Sequence, residues 1–151
     1  MRIINILLVE DNLADIRLIQ EALKEGNISH TLHVVKDGVQ AINFLHKLHP
    51  FTETTVPDLI LLDLNIPRKS GQEVLREIKQ DAKLKSIPVV IITTSSSELD
   101  VEKTYANDAN CYITKPVDFD QFTSVIKLID DFWVSSVKTD NKQTNLQNCH
   151  T

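Results

Sequence analysis

A doubly wound α/β fold, with a five-stranded parallel sheet and helices on both faces, is the architecture this sequence predicts. Two observations carry that expectation. Aliphatic runs without polar alternation recur at residues 3–9, 59–62 and 88–92, and a strand apolar on both faces belongs inside a parallel sheet. Segments of helical periodicity separate these runs, and alternation of strand and helix calls for right-handed βαβ crossovers.

The first run ends at Glu10-Asp11-Asn12, where Asn12 is placed to cap a helix carrying Leu13, Ile16, Ile19 and Leu23. Gly26 is the expected C-terminal cap. A short second strand follows at Leu32 to Val35, and Asp37-Gly38 opens a helix with Val39, Ile42, Phe44 and Leu45. Residues 46–56 make a connection longer than the about 2–6 residues usual in such units, and it is either a partner contact or slack. His46 and His49 within it read as solvated rather than metal-binding, because no acid or cysteine accompanies them.

The third strand, between Pro57 and Pro67, delivers Asp63 to its carboxyl end. Open sheets bind ligands outside those ends, so Asp63 is either positioned for chemistry or simply begins the next loop. A helix through Val74, Leu75 and Ile78 leads to the fourth strand, which ends at Thr93 and a hydroxyl-rich run to Ser97. Ser96 or Ser97 would cap a thin helix over 98–107. Cys111 to Thr114 forms a fifth strand closed by Lys115-Pro116, and a last helix runs from about Asp118 to Trp133. The folded domain is expected to span 1–134. From Ser135 onward the chain is polar and aperiodic, so 135–151 is expected to be a disordered tail.

A chain of 151 residues suits one domain. The net charge of −5, without a basic cluster, disfavours a nucleic-acid partner. No apolar run is long enough to span a bilayer, and the aliphatic N-terminus reads as a strand rather than a signal peptide. With Cys111 in an apolar stretch and Cys149 in the polar tail, no structural disulfide is expected and Cys111 reads as a small buried hydrophobe. These readings point to the cytoplasm.

Four strands thus bring polar groups to one sheet edge: Glu10 and Asp11, Asp63, Thr93, and Lys115. Crowded carboxylates raise one another's pKa values, and a hard cation such as Mg²⁺ relieves the crowding. Lys115 and Thr93 would complement a phosphoryl group, with Asp63 as the acceptor that becomes an acyl phosphate.

These residues, in identity, order and spacing, resemble the receiver domains of two-component response regulators. The resemblance rests on Glu10-Asp11, Asp63 with Asn65 two positions on, Thr93, and Tyr112-Ile113-Thr114-Lys115-Pro116, and it covers about residues 3–134. It implies a flavodoxin-like sheet of strand order 2-1-3-4-5. It implies that a sensor histidine kinase phosphorylates Asp63, and that Asp11, Asp63, the Asn65 backbone carbonyl and Glu10 hold Mg²⁺. Thr93 and Lys115 would bind phosphoryl oxygens, with Thr94 as a rival for Thr93. Tyr112 would act as an aromatic switch, and the Lys115-Pro116 bond would be cis. The extended 46–56 loop and the Phe132-Trp133 end of the last helix resemble the single-domain regulators associated with cyanobacterial phytochromes, which implies a light-sensing kinase. Phe132 and Trp133 either cap the core or form a homodimer interface through the fifth strand and last helix, and the dimer is the favoured reading.

Such a protein is a phosphoacceptor switch rather than an enzyme, although it assists its own phosphotransfer and dephosphorylation. A phosphohydrolase with an aspartyl-phosphate intermediate would want a second Asp where Asn65 stands. A flavodoxin-like cofactor binder would not carry Glu10 and Asp11 after its first strand. A phosphorylation-independent interaction module has no use for the clustered acids.

Overall fold

The computed structural model describes residues 3–93, 111–115 and 117–128. Five strands form one parallel sheet in the order β2-β1-β3-β4-β5: β1 (Ile4–Val9), β2 (His30–Val35), β3 (Leu59–Leu62), β4 (Val89–Thr93) and β5 (Cys111–Thr114). Among the described residues, α1 (Leu13–Glu25), α2 (Gly38–Leu45) and α3 (Gly71–Gln80) connect β1 through β4 in turn, and a further helix, α4, occupies 119–128. The expected helix over 98–107 with its Ser96 or Ser97 cap, the domain boundary at 134 and the polar tail lie outside the described residues. So do Phe132 and Trp133.

Alternate residues of the strands feed two separate cores. Ile6, Leu8, Leu61 and Ile92 pack with Ile19, Leu23 and Phe122 on the α1 and α4 face. Leu7, Val9, Ile60, Leu62 and Ile91 pack with Phe44, Leu75 and Ile78 on the α2 and α3 face. This is why the aliphatic runs lack polar alternation: each side of the strand meets a helix layer. Each such Leu or Ile contributes roughly 1.5–3 kcal/mol by leaving water.

Side-chain caps start the helices. Asn12, Asp37 and Ser70 accept from the backbone N–H groups of Asp15, Gln40 and Glu73, satisfying donors that a helix start leaves free. At the end of α1, Gly26 is the C-cap as expected, but its φ is −80° and the left-handed residue is Asn27, at φ 53°. Asn27 N–H donates to the Lys24 carbonyl and Ile28 N–H to that of Leu23, at 3.1 and 3.2 Å, a Schellman closure. What requires glycine at 26 is space: a Cβ there would sit 2.8 Å from Thr123 Cγ2 on α4.

Leu13 departs from its expected place on the apolar face of α1, being 69% exposed while Ile16, Ile19 and Leu23 are buried. It sits one residue past the cap, where the helix has just left the sheet edge. Cys111 is fully buried, yet it is disulfide-bonded, which corrects the expectation of no disulfide. The contrast between an apolar stretch and a polar tail was a poor guide to sulfur pairing, and its partner lies outside the described residues. The expected cis bond at Lys115-Pro116 also lies outside them, and His49-Pro50 is cis.

Candidate functional site

The carboxyl ends of β1, β3 and β5 carry Glu10, Asp63 and Lys115 one residue beyond the last paired position. The strand register aligns Val9 with Leu62, so the two acids leave the sheet side by side. Lys115 follows the outer strand β5, and its long stem spans β4 to reach them. Its Nζ donates to Glu10 Oε1 at 2.6 Å, Asp15 Oδ2 at 2.7 Å and Asp63 Oδ2 at 2.9 Å. The Lys115 side chain is 6% exposed, and those of Glu10 and Asp63 are 1% and 5%. One ammonium therefore serves three carboxylates in a nearly dry pocket.

The backbone holds the acids from the other side. Asp63 Oδ1 accepts from the Asn65 N–H at 2.9 Å, and Glu10 Oε2 from the Asn12 N–H at 3.2 Å. Burial raises the Glu10 pKa to about 7; the Lys115 hydrogen bond opposes that rise and the Asp63 charge reinforces it. For Lys115, burial pulls downward, but hydrogen bonds to Asp15, Glu10 and Asp63 together outweigh it and hold its pKa above the ordinary value.

Glu10, Asp11 and Asp63 each offer a carboxylate oxygen, all within 4.8 Å of one another. With Asp15, the site holds four acids to one lysine among the described residues, three of them bonded to its ammonium, so it is short of positive charge. A hard divalent cation that favours oxygen ligands, such as Mg²⁺, fits that donor set. Asp11 is exposed and takes no part in the lysine network, which leaves its oxygens available to such an ion.

The residues expected from the sequence mostly converge here. Glu10, Asp11, Asp63 and Lys115 are together, and Asn65 contributes its N–H to Asp63. Thr93 ends β4 paired with Thr114; its side chain and the rival Thr94 lie outside the described residues. Tyr112 is 4% exposed and packs into the α2 and α3 core, an inward position. Asp15 was not anticipated. In the sequence it reads as an acid in the first turn of a helix, favourable to the helix dipole on its own account. Only the crossover that sets α1 against β5 reveals its bond to Lys115.

The chain belongs to the response regulator receiver domain family, whose pattern it matches over residues 6–127. It is 47% identical over 132 residues to the response regulator Rcp1 of Synechocystis sp. PCC 6803, covering 87% of this chain and 90% of that one. The crystal structure of the phosphorylated cyanobacterial phytochrome response regulator RcpA superposes with a TM-score of 0.77 at 47% identity, over 89% of this chain and 96% of the other. The Mn²⁺-bound form of Rcp1 gives 0.75 at 46% identity, over 88% and 96%. This protein is thus a receiver-domain response regulator related to phytochrome-associated regulators. A close relative holds a divalent metal, as the acid cluster here is suited to do. No helix among the described residues is long and apolar enough to cross a membrane.

Proposed function

We propose that this protein is a phosphoacceptor switch that takes a phosphoryl group from a sensor histidine kinase of the phytochrome type onto Asp63. The observation that carries the reading is the Lys115 Nζ to Asp63 Oδ2 bond, 2.9 Å long and buried, beside a cluster of oxygens suited to a cation. In the transfer, the P–N bond of a phosphohistidine protonated on its other ring nitrogen breaks, its electron pair staying on the ring, and a P–O bond forms to the Asp63 carboxylate, giving an acyl phosphate and a neutral imidazole. Asp63 is presented by the end of β3, and the Asn65 N–H fixes its orientation.

Lys115 neutralises the acids before transfer and is within reach of a phosphoryl oxygen after it, so its ammonium follows the charge as it moves. Thr93, at the end of β4, is the proposed hydroxyl donor. Glu10, Asp11, Asp63 and the Asn65 carbonyl are the proposed Mg²⁺ ligands, and the ion would neutralise charge on the transferring group. The buried Tyr112 is the proposed aromatic switch, here in its inward position. Leu13, exposed beside the acids, offers the kinase an apolar foothold.

The readout is a changed protein-binding surface, with a homodimer through Phe132 and Trp133 as the proposed assembly. Residence in the cytoplasm would follow from partnership with an ATP-using kinase. The folded receiver is taken as 1–134, with 135–151 as a polar tail.

The test is transfer from an autophosphorylated cyanobacterial phytochrome kinase. Label should move to the wild-type chain in Mg²⁺ and not to Asp63→Asn. Failure of every phytochrome-type kinase to transfer, while another histidine kinase succeeds, would reject the phytochrome partner and keep the switch. Trp133→Ala should lower the sedimentation coefficient of any dimer; an unchanged value would remove that residue from the interface.

A further inference from the structure

At the opposite edge of the sheet from the acid cluster, the 46–57 connection folds back over the start of β1 and β2 and encloses a cleft of about 310 Å³. Asn5, Thr31, His33, Phe44, Glu53 and Thr55 are among its lining residues. His33 packs against Phe44 with the rings tilted and their centroids 4.5 Å apart, and Phe51 closes on both rings, at 6.0 and 5.4 Å. The loop residue Phe51 thus packs against the two rings, His33 and Phe44, that line the cleft. Thr31 Oγ1 donates to Asn5 Oδ1 at 2.5 Å on the floor.

Among the described residues, Glu53 is the one formally charged residue lining this cleft. It has no hydrogen-bond or ion-pair partner, and no lysine or arginine lines the cleft with it, among the described residues. Exposed apolar residues lie near the lining residues and the loop in sequence. Val56, 45% exposed, adjoins the lining residues Thr55 and Pro57. Ile3, 56% exposed, lies two residues before the lining residue Asn5. Leu48, 52% exposed, accepts from the Phe51 N–H through its carbonyl.

We propose that this cleft receives an arginine side chain presented by a partner protein. A guanidinium stacks on aromatic and imidazole faces, and its fork of donors matches a carboxylate. The aliphatic stem suits a mixed wall, and exposed apolar residues around a central polar anchor are the usual surroundings of an arginine at an interface. The chain's net charge of −5 favours a basic partner surface. The cleft stands apart from the phosphorylation edge: Asn5 and Glu10 are five residues apart along β1, or about 17 Å at strand rise.

The test is an amide NMR titration of the full chain, with Mg²⁺ present, using N-acetylarginine methylamide and its uncharged citrulline counterpart. The arginine probe should give saturable shifts at Thr31, Thr54 and Thr55, and the citrulline probe should give none. Glu53→Gln, at an exposed loop position, should fold normally and weaken the arginine probe several-fold or more. The proposal is overturned by equal response to both probes, by shifts confined to the Glu10 and Asp63 edge, by no saturable shift, or by unchanged affinity in Glu53→Gln.

Discussion

With Lys115 replaced by Ala, Glu10, Asp15 and Asp63 would share a buried pocket without a counter-charge. Removing one partner from such a network costs about 3–5 kcal/mol, and a divalent cation should restore much of it. Urea unfolding of Lys115→Ala in EDTA and in Mg²⁺ checks this, with a larger gain from Mg²⁺ than the wild type shows. Glu10 gives a pH signature of its own. Its pKa is about 7 in the folded protein against an ordinary 4.5, so the native state holds the extra proton between those values. The resulting stability is complete below 4.5 and is lost as pH rises through about 7. In EDTA the wild type should therefore lose stability relative to Glu10→Gln across that window. Lys115, shifted upward from 10.5, acts only above that value and leaves the window untouched. Since a metal needs the ionised carboxylate, Mg²⁺ affinity should also fall as pH drops below about 7; calorimetry in buffers of different ionisation enthalpy would show the released proton.

Two helices end in the same closure, with a non-glycine residue carrying the left-handed backbone. In α2 it is Lys47, at φ 56°, followed by Leu48 N–H donating to the Asn43 carbonyl at 2.8 Å. A left-handed lysine costs roughly 1–2 kcal/mol, and glycine returns part of that to the unfolded chain. Lys47→Gly should accordingly raise stability by up to about 1 kcal/mol in thermal or chemical denaturation. Gly71 at the start of α3 answers to space instead: a Cβ would fall 2.5 Å from the Asp63 carbonyl oxygen and from Leu64 Cα. Gly71→Ala should destabilise the fold and slow Asp63 phosphorylation together, because the displaced backbone carries the acceptor. Helix starts were legible in the sequence, since Asn12 and Asp37 are the residue types that cap. Helix ends were less so, because Gly26 marked the right place while the left-handed turn fell one residue later, on Asn27.

At the scale of the whole molecule, the strand number and the convergence of Glu10, Asp11, Asp63 and Lys115 could be read from aliphatic runs and from what terminates them. The strand order rested on family resemblance, and the parallel sheet bears it out. Contacts between elements distant in sequence were not legible. The Asp15 bond to Lys115 joins residues 100 positions apart, and the loop cleft depends on Phe51 finding His33 and Phe44. Neither leaves a local pattern, because each partner is also an ordinary helix or loop residue in its own segment. The central claim, a metal-assisted acyl phosphate on Asp63, is tested most directly by intact-mass analysis after incubation with acetyl phosphate and Mg²⁺, beside Asp63→Asn and an EDTA control. A single phosphoryl adduct that requires both Asp63 and the metal is the predicted result. An adduct that survives in Asp63→Asn, or no adduct in the wild type with Mg²⁺, would contradict it.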